Sequence, residues 1–144
     1  MKPRAMKPRG LTFVTVLIVL AISAGFLWLF TYGQAYWENM EVKAVLNQAA
    51  NLSYSEHDDA KVRQFIEHKL HEMFDVDVEE RGRMTKEILI DYTAEDLRIE
   101  RSKVPAWVHI WLTYTRNVRV PLTGGVKPVT FVDHAEQDLA PVKW

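Results

Sequence analysis

The chain has 144 residues, room for one small domain plus a membrane segment, and its lack of cysteine excludes disulfides and thiolate metal sites. Its net charge of −1 conceals a segregation: Lys2, Arg4, Lys7 and Arg9 precede an apolar run, and no acidic residue occurs before Glu38, so 14 of the 18 basic residues face all 19 acidic ones in the remainder. An acidic body argues against nucleic acid, whose binding rests on Lys and Arg neutralising phosphates.

Residues 1–10 read as a basic cytoplasmic leader. The doubled MKPR offers a second start at Met6, which would leave orientation to Lys7, Arg9 and the amine. From Leu11 to Phe30 the sequence is LTFVTVLIVLAISAGFLWLF, twenty residues without a charge. A helix of about 20 residues covers the roughly 30 Å hydrocarbon core. Its Leu, Ile, Val and Phe residues favour insertion by roughly 4 to 8 kcal/mol. Trp28, Tyr32, Tyr36 and Trp37 cluster where such a helix leaves the bilayer, as interfacial aromatics do. A transmembrane helix is therefore predicted over 11–32. The basic leader holds its N-terminus in the cytoplasm and places the acidic body in the periplasm of a Gram-negative cell. The competing reading is a removable signal cut near Ala21 and Ser23, but it leaves Phe26 to Phe30 as an apolar new N-terminus. Ala21 and Gly25 form a small-xxx-small pair that permits close helix approach and self-association in lipid, although small residues are common in spanning helices.

Only Gly33 interrupts the helix beyond the interface, at a cost of about 1 kcal/mol relative to Ala. Val42, Val45, Leu46, Ala49 and Leu52 then form one apolar stripe, so a continuous helix from Leu11 to Leu52 is predicted. NLSYSEHDD reads as a break, with Ser55 and Asp58 as a capping-box-like start. A second amphipathic helix from Glu56 to Phe74 places Val62, Phe65, Ile66, Leu70, Met73 and Phe74 on one face. Asp75 to Tyr92 is ambiguous, with Ile88 to Tyr92 as a candidate strand. Leu97 and Ile99 alternate with charges, and Val108, Ile110, Leu112, Val118 and Val120 continue the period of two. TGG at Thr123 to Gly125 signals a turn, Val129 to Val132 a short strand, and Pro121 and Pro128 mark strand ends. The predicted class is α+β: a transmembrane helix continuing into a stalk, a second helix, and a small antiparallel β-meander. The extracytoplasmic domain spans 33–134, and 135–144 is an irregular tail.

The residues able to carry chemistry are few. His68 and His71 sit three apart on the second helix, opposite its apolar stripe and with no third ligand, so they read as solvated. His109 shares a strand face with Trp107 and Trp111 and reads as a half-exposed imidazole. DVDVEE at Asp75 to Glu80 resembles a calcium-binding run, but Glu80 and Lys86 stand where an EF-hand needs Gly and Glu, so a solvated connector is expected. Lys69 lies within its helix's apolar stripe, where its stem is expected to snorkel along the domain surface, the alternative being contact with an acidic partner. The sequence offers no glycine-rich phosphate loop, nucleophile elbow or cysteine nucleophile, and no catalytic residue, metal or cofactor is predicted.

Two resemblances bear on these elements. Arg9–Gly10–Leu11–Thr12, with its basic leader and long apolar helix, resembles the N-terminus of type IV pilins and pseudopilins. That likeness implies processing between Gly10 and Leu11, methylation of the new N-terminus, and a helix that packs in a filament core. The family's glutamate at the fifth mature position is replaced here by Thr15, which suits a resident anchor better than a polymerising subunit. RGLTFVTVLIVL, YWENMEVKAVLNQAA and EDLRIER…WVHIWLTYTRNVRVPLTGGV together are similar to a family of small bitopic bacterial proteins of unknown function, which implies topology and no chemistry. The expectation is a non-enzymatic, single-span inner-membrane protein that contacts the lipid bilayer and other membrane or envelope proteins. The alternative is a minor pilin or pseudopilin of a filament or secretion machine.

Overall fold

The computed structural model of the chain describes residue 10 and residues 12–141; Lys2, Arg4, Met6, Lys7, Arg9, Leu11 and Trp144 lie outside the described residues. Helix α1 (Phe13–Leu52) runs unbroken through 40 residues, about 60 Å at 1.5 Å per residue. Thr12 is its N-cap, and its side-chain oxygen accepts from the Thr15 backbone N–H. Gly33 does not interrupt it, and a Cβ there would meet only the Leu29 side chain, at 3.8 Å and beyond. The N-terminal part is long and apolar enough to cross a membrane, and none of its most apolar window is buried. Burial begins further along: Ala35, Asn39, Val42, Val45, Leu46, Ala49 and Ala50 recur at helical spacing and face the domain.

Helix α2 (Asp59–Phe74) starts three residues later than the sequence pattern predicts. Asp58 is its cap, accepting from the Ala60 backbone N–H at 3.0 Å, so the Ser55 box is not used. Residues 53–56 instead belong to a loop gripped by Arg101. That guanidinium donates to the Ser53 carbonyl at 3.1 Å, the Glu56 carbonyl at 2.9 Å and the Asp59 carboxylate at 2.6 Å. Val62, Ile66, Leu70 and Phe74 form the buried stripe of α2. Lys69 sits at its flank, where its amine pairs with Glu72 at 3.0 Å.

The ambiguous segment folds as a hairpin of β1 (Asp75–Glu80) and β2 (Arg83–Ile88), correcting the expected solvated connector. Arg81 and Gly82 both take positive φ, 51° and 77°, as a two-residue type I′ turn requires. Arg–Gly is a weak turn signature beside Asn–Gly, and the alternation in β1 consists of only two valines, Val76 and Val78, among acidic residues, so neither pattern stands out in sequence. The main sheet is built from β3 (Ile90–Asp91), β4 (Leu97–Lys103), β5 (Ala106–Arg119) and β6 (Val126–Asp138), all antiparallel. β5 is central: β4 and then β3 line one edge, and β6 pairs with the other from Trp107↔Asp138 to Arg119↔Val126. Thus β6 is a 13-residue strand that runs to Asp138, into the first four residues of the region expected to be an irregular tail, and the 134/135 boundary falls inside it. Pro128 lies within that strand rather than at its end, opposite Asn117, as an edge strand tolerates.

Both helices cover the inner face of this sheet. Their stripes meet Leu97, Val108, Ile110, Leu112, Tyr114, Val118, Phe131 and Ala135 in one core. Each fully buried Val, Leu, Ile or Phe contributes about 1.5–3 kcal/mol of transfer free energy. The alternation of β5 is broken only at Arg116, whose inward position is answered by Glu38 of α1 at 2.8 Å. The architecture is the α+β class predicted, with α1 serving as a pillar of the domain.

Candidate functional site

Because strand side chains alternate, the outer face of the sheet collects every second residue of β4, β5 and β6. On β5 these include Trp107, His109 and Trp111; on β6, His134, Glu136 and Asp138. The register sets His109 opposite Glu136 and Trp111 opposite His134. His109 Nδ1 lies 3.1 Å from His134 Nε2 and 3.5 Å from Glu136 Oε2. The ligand-capable atoms of these three residues all fall within 4.8 Å of one another, the one such group among the described residues.

The aromatic rings around this cluster are nearly parallel. His109 makes angles of 19° with Trp107 and 18° with Trp111, and the Trp111 and His134 rings lie 4.8 Å apart at 13°. Arg98 of β4 places its guanidinium 5.3 Å from the Trp111 ring centre, a cation–π contact that holds the indole in place. The result is a flat aromatic strip with two imidazoles and a carboxylate, half-exposed and open to solvent. Glu100 lies opposite His109 on β4 and Asp138 opposite Trp107 on β6, so carboxylates border the strip.

A second polar group lies on the inner face, one residue away in sequence. Asp133 is buried and points toward α1, between outward Val132 and His134. The Asn39 amide nitrogen, in the orientation that gives both groups a partner, donates to the Asp133 carboxylate at 2.6 and 3.2 Å. The Tyr114 hydroxyl lies 2.9 Å from the same amide, and Lys43 Nζ reaches Asp133 at 4.0 Å. Burial pushes the Asp133 carboxyl above its ordinary range, opposed by the Lys43 charge and the Asn39 bond. Burial likewise raises the Tyr114 phenol, with Asp133 and Glu38 adding to the shift. Asn39, Tyr114 and Asp133 are buried, with Lys43 at their solvent edge, and together they lock α1 against β5 and β6.

The sequence-predicted residues fall in several places. Trp28 packs along α1 in tilted contacts with Tyr32 at 5.7 Å and Tyr36 at 6.4 Å, and Tyr36 meets Phe131 edge-on at 5.5 Å. The aromatic cluster therefore joins the apolar segment to the domain. Trp37 lies on another face, its indole N–H donating to Glu41 at 3.2 Å. Ala21 and Gly25 are exposed, with open space over Gly25. Thr15 shares a hydroxyl hydrogen bond of 2.8 Å with Thr12. His68 and His71 are exposed, and His71 bonds Asp75 at 2.9 Å. His109 alone was singled out from the outer-face cluster. His134 and Glu136 lie beyond the Val129–Val132 strand that the sequence pattern predicts, yet extending the ladder outward from the Thr123–Gly125 turn pairs them with Trp111 and His109.

No family model, curated protein or solved structure matches the chain.

Proposed function

We propose that the chain is a non-enzymatic, single-span inner-membrane protein whose periplasmic α+β domain acts by contact with other membrane or envelope proteins. The supporting observation is the change in burial along one uninterrupted helix. Residues 13–26 and 28–30 of α1 are exposed and apolar in the main, whereas seven residues between Ala35 and Ala50 are buried in the domain. Exposed apolar surface on that scale is stable only when something apolar covers it, and the length matches a bilayer. With no break at Gly33, the anchor and the domain share one continuous helix.

The far end of the sheet supports the same placement. The turn between β5 and β6 lies beside the end of the apolar segment: Phe30, Thr31 and Gln34 line one groove with Val118, Arg119 and Pro121. Leu122 at the tip is 78% exposed and Val126 is 60% exposed, while Arg119 and Lys127 flank them. An apolar tip with basic flanks suits the bilayer interface. The basic leader supports an N-terminus in the cytoplasm, and the outer face of the sheet and the β1–β2 hairpin offer surface to partners. Carbonate washing of membranes, with a topology reporter fused after Trp144, tests this reading. Retention in the pellet and a reporter active only outside the cytoplasm are expected; a freely soluble intact product or a cytoplasmic reporter overturns it.

The minor pilin or pseudopilin reading is favoured by one feature, a free apolar half-helix continuing into a helix laid on an antiparallel sheet. Thr15 weighs against it, since its hydroxyl is satisfied within its own helix turn by Thr12 and offers no charge to a neighbouring subunit's amine. Intact mass distinguishes the two. A product beginning at Leu11 and carrying an N-methyl group favours the filament subunit, and a retained leader favours the anchor.

A further inference from the structure

We propose that His109, His134 and Glu136 form a binding site for a borderline divalent transition metal, Zn²⁺ foremost, on the outer face of the sheet. The donor set is two imidazoles and one carboxylate, the mixture that suits zinc-class ions and leaves a fourth position to water. The two donor–donor distances that involve His109 match this chemistry, and the His134–Glu136 pair, within 4.8 Å, closes onto one ion by a side-chain rotation of Glu136. Metal–ligand bonds of about 2.0–2.1 Å in a tetrahedron put donor atoms roughly 3.3–3.4 Å apart. His109 Nδ1 to His134 Nε2 at 3.1 Å and His109 Nδ1 to Glu136 Oε2 at 3.5 Å bracket that edge. The ring centres are 5.3 Å apart. Two imidazoles bound to one tetrahedral ion have centres about 5 Å apart by the same bond lengths.

The site is also held in place before any ion arrives. All three ligands stand on two paired strands, whose register fixes His109 opposite Glu136, with His134 two residues before Glu136 on β6. Trp107 and Trp111 flank His109 and limit rotation of its ring, and Arg98 restrains Trp111. Glu100 and Asp138 at the border add negative charge that favours a cation. Without a metal, the two imidazoles satisfy each other through one shared hydrogen bond. An ion at the same point takes both lone pairs, and protons compete with it, so affinity falls in acid. His68 and His71 provide the internal contrast: two exposed histidines on one helix, outside the three-ligand group.

The test uses the full chain in detergent micelles, stripped with a chelator and titrated with Zn²⁺ by calorimetry. Titration with Co²⁺ reports geometry through its visible absorption, and Cu²⁺ quenching reports proximity to Trp107 and Trp111. One ion per chain and a four-coordinate cobalt spectrum are expected. His134→Ala is expected to weaken binding at least about tenfold, and Glu136→Gln to weaken it as well. The His68→Ala/His71→Ala double variant should leave both affinity and spectrum intact. Because His134 is exposed, its variant should keep the parent's thermal midpoint without metal. No saturable binding below millimolar Zn²⁺ would overturn the proposal. So would binding that survives His134→Ala, or that disappears in the double variant.

Discussion

Replacing Asn39 by alanine removes the amide that reaches the buried Asp133 carboxylate at 2.6 and 3.2 Å and the Tyr114 hydroxyl at 2.9 Å. The carboxylate then keeps Lys43, at 4.0 Å and on a half-exposed side chain. A hydrogen bond to a charged group contributes roughly 1.5–3 kcal/mol, and a stranded buried partner adds to the loss, so about 2–4 kcal/mol is expected. For a domain of this size that is a fall in Tm on the order of 8–15 °C. Urea or thermal unfolding of the full chain in micelles, followed by near-ultraviolet circular dichroism, measures it. The loss also depends on pH. Burial raises the folded-state Asp133 carboxyl, so the folded chain holds that proton more tightly than the unfolded chain. The stability linked to this group is therefore complete below its ordinary range and is lost as pH rises through the raised value. Asn39 opposes the shift by stabilising the charged form, so Asn39→Ala should cost more near neutral pH than in acid. A loss under about 0.5 kcal/mol, typical of an unimportant surface position, or one equal at both pH values, would refute the reasoning.

Three further outcomes follow from neighbouring contacts. Asp133→Asn keeps the shape and removes the buried charge, so it should flatten the pH dependence and raise Tm near neutral pH; an unchanged pH profile would contradict the assignment. Arg101→Met should cost roughly 2–3 kcal/mol by freeing the loop between α1 and α2, and hydrogen exchange should accelerate across residues 53–58. Gly33→Ala should be neutral or stabilising by up to about 1 kcal/mol, because the helix is continuous there and a Cβ meets only ordinary contact. Clear destabilisation by that variant would reveal a hinge.

The long elements were legible because one period dominates each. The apolar run and the 42–45–46–49 stripe of α1, the 62–66–70 stripe of α2 and the alternation of β5 each repeat often enough to be read from one strand of text. The start of α2 was misplaced because Ser55 and Asp58 both look like caps, and only the distant Arg101 decides between them by holding the loop. The hairpin at residues 75–88 was hidden because its faces are solvated and its turn is Arg–Gly. The end of β6 was missed for a related reason. Asp133 sits inward where an apolar residue is expected, and its acceptability depends on Asn39, ninety-four positions earlier. That single buried acid masks the alternation that carries His134 and Glu136 to the outer face, and with it two of the three residues of the His109–His134–Glu136 group.

The central claim is that one continuous helix is lipid-facing in its first half and domain-facing in its second. The natural chain has no cysteine, so single cysteines placed along α1 can be labelled with a membrane-impermeant maleimide without background. Positions 14, 18 and 22 should resist the reagent in membranes and react after solubilisation in denaturant. Beyond the interface, exposed positions 40, 44 and 48 should react in membranes while 42, 46 and 49 stay protected in a helical rhythm. Ready labelling of positions 14, 18 and 22 in intact membranes, or a loss of that rhythm across Gly33, would contradict it.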